Sequence, residues 1–214
     1  MKKYLKVPNL NSSLDNEINL EHLLEKANYQ YLDQKPWGNV DDAIKVRFKI
    51  AHGNNAIYLY YDITEPEMKA TYLNHNEAIC RDSCVEFFIG LEGETNYYNF
   101  EFNYLGSCLA AYGEDRYDRK RIDKGTIDLI EVESNSKRIK QGERTLFNWG
   151  IFIKIPIETF VFSELKTFAN TAARANFYKC GDDLLQPHHI TWSQVQSDKP
   201  DFHLQSYFGD IVFE

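Results

Sequence analysis

Two glutamates, Glu86 and Glu101, are the side chains whose type and spacing suggest chemistry most directly. Each lies in a segment in which apolar and polar residues alternate, as in a strand with one buried face. Opposite Cβ atoms on adjacent strands are about 4.5–5.5 Å apart, so the two carboxylates could face each other. Such a pair can accept hydrogen bonds from sugar hydroxyls, or it can serve as the acid and nucleophile of a retaining glycosidase.

Amides, an arginine and an aromatic ring accompany these carboxylates on the predicted outward faces. Asn103 shares a segment with Glu101, and Arg174, Asn176 and Tyr178 alternate with small or apolar residues in a later one. A pyranose offers hydroxyls that amides and carboxylates bind, and an apolar face that packs on a ring. These residues therefore indicate a sugar-binding surface, although they could equally satisfy one another beneath a loop.

No metal or nucleophile motif stands out. His188 and His189 follow Asp182 closely, but neighbours on a strand point to opposite faces, and we interpret this segment as a polar loop. The sequence has no glycine-rich phosphate loop and no G-x-S-x-G or H-E-x-x-H motif. The four cysteines lack zinc-site spacing and are expected to be buried, reduced thiols: Cys80, Cys84, Cys108 and Cys180.

Period-two alternation predicts the strands that must position the candidate groups. Residues 44–50 and 57–63 form a predicted hairpin around a Gly-Asn turn. Further strands are predicted at 85–89, 99–104, 108–112, 127–133, 137–141, 149–155, 168–178, around Trp192 and at 207–213. The single predicted helix, residues 19–27, is short.

This series of strands predicts an all-β fold. Many short strands without alternating helices favour an antiparallel, jelly-roll-like β-sandwich. We expect one domain over residues 1–214, in which residues 1–40 form an N-terminal extension and a first strand.

Charge and hydropathy limit the partners. The chain has 32 acidic and 24 basic residues, a net charge of −8 that opposes binding to a phosphate backbone, so nucleic acid is not expected. No apolar run reaches the roughly 18 residues that span a bilayer, and the N-terminus lacks the apolar stretch of a signal peptide. We therefore expect no membrane partner and a cytoplasmic location, or an exported protein if a leader has been removed.

Two segments together carry a family resemblance. Residues 82–89 (DSCVEFFI) and 97–106 (YYNFEFNYLG) resemble the two central strands of carbohydrate-binding module family 9, D-S-V-E-x-F-I and Y-x-x-F-x-x-N-x-x-G. The early hairpin is similar to the opening strands of that family. The C-terminal part of the sequence resembles the closing segment of the family at three places: Trp192, residues 200–203 (PDFH) and residues 208–213 (FGDIVF). The resemblance covers about residues 40–214 in order.

The resemblance implies a β-sandwich that binds sugars, usually as an accessory to glycoside-degrading enzymes in polysaccharide catabolism, with structural calcium in some members. The family holds a terminal sugar between two tryptophans, with a Glu, an Arg and an Asn as hydrogen-bond partners. By this resemblance, Glu86 corresponds to the family's Glu and Asn103 to its Asn, and Phe202 takes the position of the second tryptophan.

Two positions depart from the family pattern. Where the first tryptophan is expected, the sequence reads Ile79-Cys80-Arg81. Glu101 stands where the arginine should be, so Arg81 or Arg174 would have to supply the cation. Stacking on a ring contributes about 1–3 kcal/mol, so the loss of one ring would weaken binding about tenfold or more.

The sequence thus predicts a non-catalytic protein that recognises a mono- or oligosaccharide, with a glycoside hydrolase or sugar-modifying enzyme using Glu86 and Glu101 as the alternative. No cofactor is expected to be required, although Asp62, Glu65 and Asp82 are acidic candidates for calcium. Glycan-degrading enzymes are the expected protein partners. The predicted carbohydrate-binding residues are Arg81, Glu86, Glu101, Asn103, Arg174, Asn176, Phe202 and His203.

Overall fold

The structure is a computed structural model that describes residues 2–10 and 19–214. Met1 and residues 11–18, which belong to the predicted N-terminal extension, lie outside the described residues. Two α-helices, α1 (Leu20–Lys26) and α2 (Lys124–Ile127), are both short. In the described part of the chain, no helix is long and apolar enough to cross a membrane.

The strands form two sheets. Neighbouring strands are antiparallel, except that β1 and β13 are parallel. The first sheet has the order β1 (Tyr4–Val7), β13 (Gly209–Phe213), β11 (Ala172–Cys180), β5 (Cys84–Leu91), β6 (Tyr97–Asn103), β7 (Cys108–Gly113) and β8 (Lys120–Arg121), and β12 (His189–Thr191) also pairs with β11. The second sheet has the order β2 (Gln30–Tyr31), β3 (Lys45–Gly53), β4 (Ala56–Glu65), β10 (Arg144–Pro156) and β9 (Glu131–Gln141).

The inner faces of the two sheets meet in an aromatic core. Phe48 of β3 stacks on Phe177 of β11 across the interface, with ring centroids 3.9 Å apart. Phe87 of β5 lies 5.1 Å from Phe177, and Ile151 and Ile155 of β10, which alternation predicted to face inward, are buried. Each large aromatic side chain removes about 150–250 Å² from water, so burial of these rings drives the packing of sheet on sheet.

An ion pair joins the sheets within this core. Lys179 Nζ of β11 lies 2.8 Å from Glu65 Oε2 of β4, and both side chains are 0% exposed. Trp149 Nε1 donates a hydrogen bond of 2.6 Å to Glu65 Oε1, and Lys179 Nζ donates one of 3.0 Å to His188 Nε2. Burial lowers the pKa of His188 to about 3, so its ring is neutral and can accept that bond. The two buried charges are therefore matched inside the core.

The predicted fold class is confirmed, and the predicted hairpin corresponds to β3 and β4. The division of residues 127–141 into two strands was wrong, because residues 131–141 form one strand that pairs along its length with β10. Most of β9 is exposed on both faces, so its sequence shows little of the alternation that marks a half-buried strand. Ile127, the first residue of the same segment, is the last residue of α2 instead.

The outer face of the first sheet is covered by the chain itself. Every residue of β5 and β6 is buried, although alternation predicted only one inward face for each strand. Apolar residues of the connecting segments, including Ile79, Val195 and Phe208, pack on this outer face. The candidate carboxylates therefore lie under loops rather than on an open surface.

The outer face of the second sheet is covered only in part. Leu23 and Ala27 pack against Ala51, Tyr58 and other residues at one end of it. Lys49 was predicted to face water, but it is buried beside α1, and its Nζ donates a hydrogen bond to the carbonyl of Leu24. The rest of this face is open.

Candidate functional site

Glu86 and Glu101 occupy paired positions on β5 and β6, the arrangement that alternation allowed. Cys180 Sγ donates a hydrogen bond of 3.0 Å to Glu86 Oε1, and Asn99 Nδ2 donates one of 3.0 Å to Glu101 Oε1. Glu101 is only 6% exposed, yet its second oxygen, Oε2, has no hydrogen-bond partner among the described residues. A buried acceptor without a donor costs about 1–3 kcal/mol, so this oxygen is suited to an external donor.

The two carboxyl groups retain protons more strongly than exposed glutamates do. Burial raises the pKa of Glu101 to about 7, against the opposing effects of the Asn99 hydrogen bond and of the charges of Arg121 and Arg119. Burial, and then the charge of Glu101, raise the pKa of Glu86 well above its ordinary value. At neutral pH the pair therefore holds a proton, and it can both donate to and accept from hydroxyl groups.

An aromatic cluster lies beside the carboxylates. The ring of Phe202 stacks on that of Tyr178, with centroids 4.1 Å apart and an interplanar angle of 12°. Tyr178 Oη also donates a hydrogen bond to the carbonyl of Phe202. Behind these rings lies Trp37, 5.9 Å from Phe202, and its indole N–H donates to the carbonyl of Ser197. Stacking and hydrogen bonds together fix the position of Phe202.

His203 is held in a neutral state next to this cluster. Its Nδ1 lies 2.6 Å from Tyr97 Oη, and its ring centroid lies 4.9 Å from that of Phe88. Burial, and then the positive charges of Arg119 and Arg116, lower the pKa of His203 to about 3. The imidazole is therefore a hydrogen-bonding group rather than a cation near neutral pH.

These groups line a small pocket of about 80 Å³ between the first sheet and the loops above it. Four of the predicted binding residues meet there: Glu86, Glu101, Phe202 and His203. The arrangement combines two carboxyl groups, a neutral imidazole and an aromatic ring. We call it the glutamate pocket.

Arg116, Asp182 and His189 also line the glutamate pocket, and the sequence did not single them out as binding residues. Arg116 lies in a charged segment with no recognisable pattern, so no signal in the sequence could have placed it over β5 and β6. His189 Nε2 lies 3.0 Å from Asp182 Oδ1. The sequence predicts a polar loop for this pair, whereas His189 is the first residue of β12. Its position relative to Glu86 depends on the tertiary fold and cannot be predicted from the local pattern.

The other two predicted cations lie away from the glutamate pocket. Arg81 is exposed and does not line it. Arg174 Nη2 donates a hydrogen bond of 3.0 Å to the carbonyl of Glu94, which follows the end of β5. Arg116 is thus the arginine that the fold brings to the pocket.

Asn103 and Asn176 are occupied by contacts within the chain. Asn103 Nδ2 donates to the Tyr72 carbonyl at 2.7 Å and to Asp82 Oδ2 at 3.0 Å, while its Oδ1 accepts from backbone N–H groups of the β6–β7 turn. Asn176 Oδ1 and Nδ2 bind the backbone of Ser193 at 2.8 and 3.1 Å. Both amides are fully buried and hold loops in place; a direct role in sugar binding stays a prediction.

The three acidic residues considered for calcium do not fit such a site. Both carboxylate oxygens of Asp62 bind neighbouring side chains, Glu65 pairs with Lys179, and Asp82 accepts four hydrogen bonds. Calcium requires six to eight oxygen ligands, which these separate residues do not bring together.

Three buried groups with potential metal-ligand atoms do converge below the glutamate pocket. The ligand atoms of Cys84, Glu86 and Cys180 lie within 4.8 Å of one another. They include two sulfurs, which calcium does not prefer. Burial raises the pKa of the Cys84 thiol to about 12, and the Cys180 thiol donates its hydrogen bond to Glu86. All four cysteines of the chain are free.

The sequence matches a known protein family over most of its length. The family model of carbohydrate-binding family 9 matches residues 18–213. The chain belongs to carbohydrate-binding family 9. The match covers every strand of the two sheets except β1, together with the residues of the glutamate pocket, and it confirms the family resemblance seen in the sequence. Among the curated proteins, none matches the chain.

Solved structures show the same architecture. A candidate carbohydrate-binding protein from Bacteroides uniformis ATCC 8492 is 29% identical over the full length of both chains, with a TM-score of 0.88. A family 9 module from Caldicellulosiruptor kristjanssonii in complex with glucose is 13% identical over 99% of this chain and 96% of that one, with a TM-score of 0.61. The same type of module in complex with cellotriose has a TM-score of 0.58 at 13% identity, over 99% of this chain and 94% of that one. At 13% identity, the latter two show a common fold.

Proposed function

We propose that this family 9 module binds a terminal sugar unit at the glutamate pocket without cleaving it. The observation that carries the proposal is Glu101 Oε2, a buried acceptor that no described residue satisfies. A sugar hydroxyl supplies the donor that this oxygen lacks. The ring of Phe202 offers an apolar contact for the C–H face of the same sugar.

The size of the glutamate pocket limits the ligand. Pockets for small molecules usually measure about 300–1,000 Å³, whereas this one measures about 80 Å³. It therefore takes in part of one sugar unit, and the remainder of the ligand lies outside. Neighbouring structures of family 9 modules hold glucose and cellotriose, which makes a terminal unit of a glucose-containing chain the first ligand to test.

Hydrolysis is the less suitable chemistry for Glu86 and Glu101. A retaining glycosidase needs one protonated carboxyl as acid and one ionised carboxylate as nucleophile, but burial raises the pKa of both groups, that of Glu86 well above its ordinary value and that of Glu101 to about 7. No observation on this chain favours cleavage over binding. Association with glycan-degrading enzymes, which the family resemblance implies, stays a prediction.

A glycan array followed by titration calorimetry tests the proposal. The Glu101→Met substitution removes the unsatisfied acceptor while keeping the side-chain volume, and we expect affinity to fall about tenfold or more, because hydrogen bonds to charged groups contribute about 1.5–3 kcal/mol. The matched control is Glu92→Gln, an exposed glutamate in the β5–β6 turn, which should leave affinity unchanged. Unchanged binding in Glu101→Met, or no binding to any glycan by the unmodified protein, would refute the proposal.

The pH dependence of binding provides a second readout. Because the pKa of Glu101 is about 7, its carboxylate becomes the stronger acceptor as the pH rises from 6 to 8. We expect affinity to increase over this interval in the unmodified protein and to stay flat in Glu101→Gln.

A further inference from the structure

A second and much larger cavity lies on the opposite side of the molecule. It is an open groove of about 1,020 Å³ on the outer face of the second sheet, next to the end that α1 covers. Strands β3, β4, β10 and β9 contribute its floor, and the segment around β2 forms a wall. Its volume is at the upper limit of ordinary ligand sites, about 1,000 Å³, so several sugar units fit where the glutamate pocket accepts part of one.

Tyrosine rings line this groove. The Tyr60 ring lies over the backbone of Gly150 on the neighbouring strand: a Cβ at position 150 would come within 2.5 Å of Tyr60 Oη and 3.0 Å of its Cε2. Glycine therefore makes room for the ring to lie across the sheet. Tyr31 is 56% exposed at the wall, and the Tyr29 ring is held by the guanidinium of Arg47, 4.0 Å from its centroid. Rings held in this way are platforms on which sugar rings can pack.

A fixed polar network lies between the rings. The Nε and Nη2 atoms of Arg47 donate to Asp62 Oδ2 at 2.9 and 2.6 Å, and Asn148 Nδ2 donates to Asp62 Oδ1 at 2.9 Å. These bonds orient the side chains before any ligand arrives, which reduces the entropy lost on binding. They also neutralise the Asp62 carboxylate.

The charge of the groove differs from that of the whole chain. Its two acidic lining residues are both paired, Asp62 with Arg47 and Asp33 with Lys3. Lys45 and Lys137 also line the groove. Neither makes a close ion pair with a described residue, although the charge of Lys45, after that of Lys35, acts on the Asp42 carboxylate. A protein with a net charge of −8 thus presents exposed ammonium groups in this groove. Complementary charge selects an anionic ligand.

We propose that this groove is a second carbohydrate-binding site, and that its ligand is a linear oligosaccharide with anionic groups, either uronate carboxylates or sulfate esters. Sugar rings pack on Tyr60 and Tyr31, and the anionic groups lie near Lys45 and Lys137. The site is separate from the glutamate pocket, and either can exist without the other.

Titration calorimetry with three oligosaccharides of equal length tests the proposal: an oligogalacturonate, a sulfated carrageenan oligosaccharide and neutral cellohexaose. We expect one anionic ligand or both to bind saturably, with an affinity that falls as NaCl rises from 50 to 500 mM, and cellohexaose to bind this face at least tenfold more weakly. The two anionic ligands distinguish carboxylate from sulfate recognition. Absence of saturable binding by both anionic ligands would overturn the proposal, as would equal, salt-independent binding of the neutral chain at this face.

Substitutions assign the binding to the groove. The Lys45→Ala/Lys137→Ala variant should lose affinity about tenfold or more, and its matched control, Lys166→Ala/Lys199→Ala, removes two exposed lysines elsewhere and should bind normally. Tyr31→Ala, at an exposed position that does not endanger folding, should weaken binding about fivefold or more, as the loss of a stacking ring predicts.

Glu101→Met separates this proposal from the first one. Anionic binding that persists in Glu101→Met and fails in the lysine variant supports the groove. Anionic binding that fails in Glu101→Met and persists in the lysine variant places the ligand at the glutamate pocket and refutes the groove. Loss of terminal-sugar binding in Glu101→Met supports the proposal for the glutamate pocket and has no bearing on the groove.

Discussion

At the scale of single residues, Glu101 carries an energetic cost in the folded protein, since one of its oxygens is buried without a partner among the described residues. An acid whose pKa is raised on folding holds its proton more tightly in the folded state than in the unfolded chain. The folded protein therefore carries more protons than the unfolded chain between the two pKa values, and its stability falls as the pH rises through this interval.

The pH dependence of unfolding measures this effect. Because folding raises the pKa of Glu101 from 4.5 to about 7, we expect this residue alone to lower the free energy of unfolding by about 2–3 kcal/mol between pH 4.5 and pH 7, in addition to the contribution of Glu86. Urea unfolding across this range should show the slope, and Glu101→Gln, which cannot ionise, should reduce it without abolishing it, because the raised pKa of Glu86 contributes a slope of the same sign. A slope that is the same in both proteins would contradict the assignment.

Only part of the glutamate pocket can be predicted from the sequence, and the carboxylate pair is the part that can. Alternation predicted that Glu86 and Glu101 lie on the same kind of face and could be opposite each other, because a period of two fixes the face of each side chain. The register that pairs them directly is seen only in the structure. Alternation could not predict Arg116, which reaches the glutamate pocket from an irregular segment. Nor could it predict that Asn103 would be engaged by a neighbouring turn, since such contacts depend on how loops fold over the sheet.

At the scale of secondary-structure elements, the Lys179–Glu65 pair connects β11 of one sheet to β4 of the other. Removing one partner of a buried pair leaves an unmatched charge, so Lys179→Met should lower the free energy of unfolding by about 3–5 kcal/mol. The Lys179→Met/Glu65→Gln double variant should recover part of this loss. Urea denaturation of the three proteins provides the measurement.

A pair on the surface serves as the control for this experiment. Lys154 and Glu131 join β10 to β9 with a nitrogen–oxygen distance of 2.6 Å, but their side chains are 31% and 67% exposed. Because exposed pairs contribute about 0–1 kcal/mol, Lys154→Met should change stability by no more than that. A larger loss in this variant than in Lys179→Met would show that burial does not determine the effect.

The strands themselves were largely predictable, with one instructive exception. The β3–β4 hairpin follows directly from apolar residues that alternate on either side of a Gly-Asn turn. Strand β9 was divided in two because exposure of both faces removes the apolar side of the pattern. The burial of both faces of β5 and β6 was missed for the converse reason, since carboxylates and amides there look like residues facing water.

At the scale of the whole molecule, the two outer faces differ in how they are covered. Loops close the face with the glutamate pocket, whereas the face with the groove lined by Tyr31 and Tyr60 is open. Three of the four cysteines are fully buried, and Cys80 is partly exposed at the closed face. Titration of native protein with a thiol reagent should therefore modify Cys80 first and slowly, because burial raises the pKa of its thiol. The remaining three thiols should react only in urea.

A matched substitution makes the thiol measurement specific. In Cys80→Ser, the first reaction should disappear while the total in urea falls from four thiols to three. Fast reaction of several thiols in the native protein would show that the loops over the first sheet open readily. Fewer than four reactive thiols in urea without reductant would instead reveal a disulfide.

The eleven-residue strand β9 forms one edge of the second sheet, with β10 on one side and no strand on the other in the described part of the chain. A long free edge presents unpaired backbone groups that can recruit another polypeptide into a growing intermolecular sheet. Charged side chains of both signs along β9, from Glu131 and Glu133 to Lys137, Arg138 and Lys140, oppose such recruitment. The residues that make this strand hard to recognise in the sequence are thus the same ones that protect the protein from aggregation.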